Sequence, residues 1–294
     1  MSVDQATNSQ RSPSEFTFQS IGTFRSCFLT KNGCPRQPSV CPYARGSLKI
    51  SFFNNPHHSL DKINQFSHLW LIFVFHDNGE YRAKAKVSPP RLNGAKVGVF
   101  ASRSPHRPNN VGMSLVKLEK VLGDTLHVSA VDLIDGTPIL DIKPYISTYD
   151  CPLPPVSQPT WIAQQPSSPL SINFTDGALE QIVNLQYSGE AGRVGSGTGV
   201  QLRFMRSMQE LRECIEDILA ADPRSRYRRA QGDTEFSFPI DAVDVRVRIR
   251  EGEGDMGEGE GPCSGKRSLV EVLEVAQTPY VKSLLELGSS DKCS

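Results

Sequence analysis

A chain of 294 residues with 38% hydrophobic content has apolar material for one substantial core and a smaller second one, so two folded units are expected. Its 32 lysines and arginines balance 32 acidic residues, which excludes a uniformly basic or acidic protein, but residues 16–155 hold 16 basic against 9 acidic side chains. That surplus suits a polyanionic partner, although exposed lysines on a solvated face have the same signature. Seven cysteines lack a CxxC pair, and Cys27, Cys34 and Cys41 recur at a spacing that is not a zinc pattern, so reduced thiols and no metal site are expected. No run approaches the roughly 18 apolar residues of a membrane span. Residues 1–15 are polar, with Asp4 and Glu15 against Arg11, and resemble neither a signal peptide nor a presequence, so a cytoplasmic setting is expected.

After that tail, short apolar segments follow one another from Phe16, Ser47, His68, Ala83, Lys96, Met113 and Thr125, rich in β-branched and aromatic residues and divided by Gly, Pro and Asn. The pattern predicts a β-barrel over residues 16–155. No helical segment of 10 to 15 residues alternates with the strands, which argues against a doubly wound sheet. SLDKINQF predicts a short helix capped by Ser59. Six prolines between Cys151 and Pro169 predict a linker or strap, assigned to 156–170.

Beyond the linker, TDGALEQIVNLQY from Thr175 and SMQELRECIEDILAA from Ser207 place apolar residues at three- and four-residue intervals, predicting two capped helices. FSFPIDAVDVRVRIRE and SLVEVLEVAQ alternate as strands do. The expected fold is therefore α+β: an N-terminal barrel and a helix-plus-hairpin module over 171–288, with a short tail at 289–294. The acidic, glycine-rich segment 251–265 predicts a mobile loop. GSGTG from Gly195 imitates a nucleotide-binding turn but lacks a preceding strand, and QLRF after it reads as strand rather than helix. SGKRS from Ser264 lacks the spacing of a phosphate-binding loop.

One segment has little to offer a core: GVFASRSPHRPNNVGMSL from Gly98. Arg103 and Arg107 supply planar forks for carboxylate or phosphate, Pro105 and Pro108 stiffen the backbone, and Asn109 and Asn110 suit a turn. It reads as a binding loop, against the plainer reading of a solvated turn. CPRQP from Cys34, FSHLWLIFVFHDNG from Phe66, PPRLNG from Pro89, VDLIDGTPILDIKPY from Val131 and DPRSRYRR from Asp222 accompany it. In that order and spacing these motifs resemble the TrmO/TsaA-like family of S-adenosylmethionine-dependent tRNA methyltransferases, closely from Phe16 to Cys151 and more loosely to Val275.

The resemblance implies S-adenosyl-L-methionine as cofactor, held against Pro35, Arg36 and Gln37, His76 and Asp77, Arg103, the stretch from Met113 to Leu115, and a turn running from Asp132 through Asp135 and Gly136 to Thr137. Chemically, Arg103 or Arg36 can pair a carboxylate bidentately, and Asp132 or Asp135 can accept from ribose hydroxyls or an amino group. Asp135 and Gly136 equally suit a hairpin turn, and His76 can end a strand with a satisfied ring. His68 is expected to serve structure alone.

The implied reaction methylates N6 of threonylcarbamoyladenosine at anticodon-loop position 37 of tRNA. Substrate contacts fall on Arg91, Arg107 and Asn109 and on Asp222, Arg224, Tyr227 and Arg228, with His76 as a tentative general base. A homodimer is implied as well. RPNNVG departs from the family's RPNPIG, so Asn110 removes a proline and leaves the loop's pose open. The alternatives are a barrel that binds RNA without catalysis and a hydrolase using His76 and Asp77, for which no nucleophile is at hand.

Overall fold

In the computed structural model, residues 16–79, 83–89, 92, 94–163, 170–185, 202–224, 228, 229, 231, 234–251 and 268–278 are described. Arg91, Tyr227, the glycine run at 195–199, the segment 264–267 and the acidic loop from 252 onward lie outside them.

Alternation along the strands builds the first unit. β1 (Gly22–Ser26), β2 (Arg45–Ile50), β3 (His68–Val74), β6 (Val111–Leu122), β7 (Thr125–Ser129) and β8 (Thr137–Pro144) close into a barrel in the order β1-β2-β7-β6-β3-β8. Phe24 from β1, Leu48 from β2, Leu69 and Leu71 from β3 and Val116 from β6 fill the interior, while their sequence neighbours face outward. Closure depends on β8, antiparallel to β1 and to β3. The run from Thr137 stands out in the sequence for its turn and charged residues, and its strand character shows only in the pairing. The segments from Ala83 and Lys96 form only a two-residue ladder, β4 (Lys86–Val87) with β5 (Val97–Gly98), outside the barrel. Gly112 lies against the Phe73 and Phe75 rings, where a Cβ would collide.

The helix expected at Ser59 is instead two 3-10 turns, Pro56–Leu60 and Ile63–Gln65, divided by Lys62 at φ 63°. Ser59 caps nothing, because its hydroxyl donates back to the Pro56 carbonyl at 2.5 Å. The proline-rich stretch carries α1 (Ser147–Asp150) just before it and α2 (Thr160–Ala163) within it, and residues 152–160 are exposed throughout.

In the second unit, α3 (Asp176–Asn184) and α4 (Met208–Ala220) carry the expected caps: Thr175 accepts from the Ala178 amide and Ser207 from the Glu210 amide. The buried face of α4 is Leu211, Cys214, Ile215, Ile218 and Leu219, one stripe at helical spacing. The hairpin of β10 (Glu235–Ile240) and β11 (Val243–Glu251) joins β12 (Ser268–Gln277) and an unforeseen strand, β9 (Ser171–Phe174), in a sheet ordered β10-β11-β12-β9, with β9 parallel to β12. Arg203 and Phe204 form a bend rather than the strand that QLRF suggested.

The two units share one continuous core in which Phe28, Cys41 and Ala44 of the barrel's β1–β2 loop join Cys214 and Phe238. Gly33, at φ 80°, lets that loop lie on the Phe238 ring. Asp241, fully buried at the β10–β11 turn, donates its amide to the Cys27 carbonyl at 2.7 Å. Its carboxylate accepts from the amides of Arg203 (2.7 Å), Phe204 (3.0 Å) and Met205 (2.8 Å). Burial pushes its pKa up, and the three amides oppose that shift.

A second joint is ionic. A β-bulge lifts Glu119 out of the β6–β7 register. Its carboxylate meets Arg206 at 2.8 Å, Lys117 at 3.2 Å and Arg45 at 3.6 Å, and Arg45 also donates to Glu210 of α4 at 2.8 Å. Burial acts to raise the Glu119 pKa, but hydrogen bonds from Ser129, Arg206 and Lys117 outweigh it and hold the group at about 2.

Two outcomes follow from these joints. Asp241→Ala leaves three amide donors without their acceptor, of which that of buried Met205 costs about 1–3 kcal/mol and the part-buried ones less, so urea denaturation should show a loss of about 2–4 kcal/mol, with Asp241→Asn losing less. A loss under about 1 kcal/mol would show the turn to be replaceable. Because the Glu119 pKa is lowered on folding, its stabilisation is present above the usual carboxylate range and disappears as pH falls toward about 2. Glu119→Gln should therefore cost on the order of 1–2 kcal/mol at neutral pH, after screening through exposed Lys117 and Arg206, and should flatten the acid limb of stability against pH.

Candidate functional site

Antiparallel pairing brings the ends of β1, β3 and β7 and the starts of β2, β6 and β8 to one rim of the barrel. The connections that gather there are the β1–β2 loop at 27–44, the segment after β3 from Phe75 to Asn78, the loop before β6 at 99–110, and the β7–β8 turn at 130–136. Those connections contain nearly every motif that the sequence singles out in the barrel. A cavity of about 200 Å³ opens between them, lined by Cys34, Phe73, Phe75, His76, Asp132 and Thr137 among others.

Asp132, half-buried, turns its carboxyl to this cavity. The Ser114 hydroxyl donates to its Oδ1 from the inward face of β6. Burial raises the Asp132 pKa to about 6, against the pull of Ser114 and the more distant Arg103. Phe73 and Phe75 meet edge to face on the cavity wall, with ring centroids 5.1 Å apart. A carboxyl beside aromatic rings favours a cationic or sulfonium group. Burial, and then Asp132, push the neighbouring Cys34 thiol well above its usual range, so it is a poor nucleophile.

Outside the cavity, a hydrogen-bonded chain links motifs far apart in sequence. Arg103 donates to the Gln37 carboxamide at 3.0 Å, Gln37 to the Arg36 carbonyl at 2.6 Å, and Arg36 to the Arg224 carbonyl at 3.1 Å. Asp222 holds Arg224 through Nε at 2.9 Å and Nη2 at 3.0 Å, and its carboxylate lies 3.6 Å from Arg229. The module's DPR turn is thereby seated on the barrel's PRQ loop. Pro35 beneath it is buried, and Arg228 lies half-buried beyond the turn.

Other residues are occupied with holding the rim. Asp135 accepts from the Ser26 amide at 2.9 Å and pairs with Arg25 at 3.2 Å, Gly136 at φ 82° donates its amide to Phe24, and buried Thr137 donates to the Ile134 carbonyl. Asp77 pairs with Lys31 at 3.3 Å. Arg107 donates to the carbonyls of Ser102 (2.9 Å) and Ser104 (3.2 Å), pinning the loop before β6. Asn110 does what a proline would do by other means: its carboxamide donates to the Phe75 carbonyl at 3.1 Å, and its own carbonyl accepts from the Phe75 amide at 2.8 Å.

His76 stands exposed on the rim beside the Gly136 turn, and Asn109 is exposed at the loop tip. Met113 (50% exposed) and Leu115 point to the outer face of β6, opposite Ser114, so the cavity does not include their side chains. His68 accepts or donates a hydrogen bond with the Ser67 hydroxyl at 2.9 Å and lies away from the cavity. Ser114 lies within the stretch from Met113 to Leu115, and Phe73 and Phe75 within the motif from Phe66, but none of them is singled out by the sequence, nor is Lys31. Ser114 alone had a legible signal, a hydroxyl at an inward position of an otherwise apolar alternation.

Comparison with known proteins agrees with this arrangement. A family model described as tRNA-methyltransferase O N-terminal domain matches residues 23–151. A tRNA (adenine(37)-N6)-methyltransferase of Escherichia coli is 35% identical over 223 residues, which is 74% of this chain and 86% of that protein. The enzyme of the same name from Homo sapiens is 60% identical over 134 residues, 45% of this chain, and the matched part spans only 30% of the human protein's length. The crystal structure of TrmO from Pseudomonas aeruginosa superimposes with a TM-score of 0.60 at 29% identity, covering 90% of this chain and 100% of the other. The match spans barrel and module together, and the chain belongs to the tRNA-methyltransferase O family.

Proposed function

We propose that the chain transfers a methyl group from S-adenosyl-L-methionine to N6 of threonylcarbamoyladenosine at position 37 of tRNA, giving N6-methyl-N6-threonylcarbamoyladenosine. The observation that carries this reading is the rim cavity with the half-buried Asp132 carboxyl, two phenyl rings and an outer tier of arginines. The relatives' printed names, tRNA (adenine(37)-N6)-methyltransferase, support it. A homodimer in the cytoplasm, with no metal, completes the proposal.

The residues present fit the cofactor. Asp132 offers an anion to a sulfonium or ammonium group, Phe73 and Phe75 offer apolar faces, and Arg103, held by Gln37, offers a fork to a carboxylate. When bound, the cofactor supplies an activated methyl on a cationic sulfur. Pro35, Arg36, Gln37 and the Asp135–Thr137 turn frame the site, and Met113 and Leu115 enter it only through the β6 backbone. The protein's chief task in such a displacement is alignment, holding nucleophile and methyl carbon at about 3–3.5 Å. His76 on the rim takes the N6 proton in this reading, while Arg107 and Asn109 of the loop before β6 and Asp222, Arg224 and Arg228 of the module contact the RNA; Arg91 and Tyr227, which lie outside the described residues, belong to the same proposed contact set.

Incubation with labelled cofactor and anticodon stem-loops tests the reading: label should enter RNA carrying threonylcarbamoyladenosine. Cofactor-independent RNA binding with no heat of cofactor binding would instead establish a non-catalytic barrel. Arg103→Ala should weaken cofactor binding by calorimetry at least tenfold while the barrel remains folded, and an unaltered affinity removes Arg103 from the site. A cation favours the ionised form of Asp132, so cofactor affinity should rise with pH through about 6 and level off above it. Asp132→Asn should flatten that profile and lower affinity about tenfold at pH 8. A wild-type profile already flat from pH 5 to 7 would contradict the role given to Asp132.

A further inference from the structure

Between Glu80 and Glu119 the sequence has eight lysines and arginines and no acidic residue. Part of this stretch folds as the β4–β5 ladder and the loop leading to β6, both outside the barrel wall. Lys84, Lys86 and Lys96 are exposed there, and none of them takes part in an ion pair among the described residues. Beside them lies a groove of about 440 Å³, walled by Ala83, Lys84, Ala85, Val99, Phe100 and Pro108.

Phe100 is 78% exposed, and the Arg107 guanidinium sits 5.9 Å from its ring centroid. Two carbonyls fix that guanidinium, so the ring has a rigid cationic neighbour rather than a mobile one. An exposed ring bordering an apolar groove and carrying a fixed guanidinium offers a ready face for stacking. An acidic protein partner would suit the lysines but not a bare ring over a shallow apolar groove. A single-stranded RNA satisfies both, because its phosphates meet lysines while its bases stack on aromatic faces.

We infer that Phe100 and the lysines around it form a stacking platform for an unpaired base flanking the methylated nucleotide. The loop geometry supports this placement: the segment that carries Phe100 continues within five residues to Pro105, which lines the rim cavity and is tied to Asn78. A base held on Phe100 would set the register of the strand, and the next base would reach the mouth of the cavity, against the bound cofactor. The inference rests on the RNA-methyltransferase reading and adds a surface that the cofactor site does not contain.

The test uses the full chain and fluorescence anisotropy with a modified anticodon stem-loop. Phe100→Ala should weaken RNA binding about 10- to 100-fold and Phe100→Trp should retain it, with cofactor affinity by calorimetry unchanged in both. The effect of Phe100→Ala should vanish on an RNA with abasic sites flanking the target. Lys84→Ala with Lys96→Ala should reduce the slope of log affinity against log salt by about 1.4, at roughly 0.7 for each lost phosphate contact. Equal RNA affinity for wild type and Phe100→Ala overturns the platform while leaving the function intact, and a change in oligomeric state alone, read by ultracentrifugation, would assign the surface to a second copy of the chain. Absence of RNA binding by wild type would sink both readings.

Discussion

The arrangement of this molecule depends on how one carboxylate, that of Asp241, is satisfied without water. It sits at the tip of a hairpin with φ 53°, fully buried, and its three acceptor bonds gather the backbone of Arg203, Phe204 and Met205. Its own amide reaches the Cys27 carbonyl at the end of β1. One turn therefore fixes the hairpin, the segment leading into α4, and the barrel rim relative to each other. An ionised group in that position is tolerable only when both oxygens accept from donors, and this makes the geometry restrictive.

The consequence reaches the site through α4. Its N-terminus is held to the barrel by Glu210 and Arg206, which meet Arg45 and Glu119, and its C-terminus delivers Asp222 and Arg224 to the PRQ loop. Since α4 is a rigid rod of 13 residues, pinning one end places the other. The arginines of the smaller unit then stand beside Arg103 and Gln37 of the larger one. Neither unit alone would present that constellation.

Within the rim, charge is sorted by partner. Asp135 and Asp77 are paired with Arg25 and Lys31 and act as braces, whereas Asp132 turns to the cavity, where the Ser114 hydroxyl donates to it. The difference lies in position along the turn: Asp132 follows buried Val131 on the inward side, and Asp135 precedes Gly136 where the chain turns outward toward β1. Three carboxylates within one motif family thus acquire distinct chemistry, two as struts and one as a group able to answer a cation.

Much of this was legible in the residues themselves. Alternation of large apolar side chains predicts the barrel strands, and Thr175 and Ser207 mark their helices, because burial pattern and capping are local properties of sequence. The motifs with arginine, proline and asparagine announce a binding rim because such residues have no place in a core. What the sequence left open was long-range: β8 as the strand that closes the barrel, β9 running parallel to β12, the pair of 3-10 turns at Ser59, and the outward direction of Met113 and Leu115 against inward Ser114. Strand partners and the sense of a pleat are set by residues distant in the chain, and the ionisation of Asp132 is set by what surrounds it. Only the packed structure decides which of several similar carboxylates loses its water.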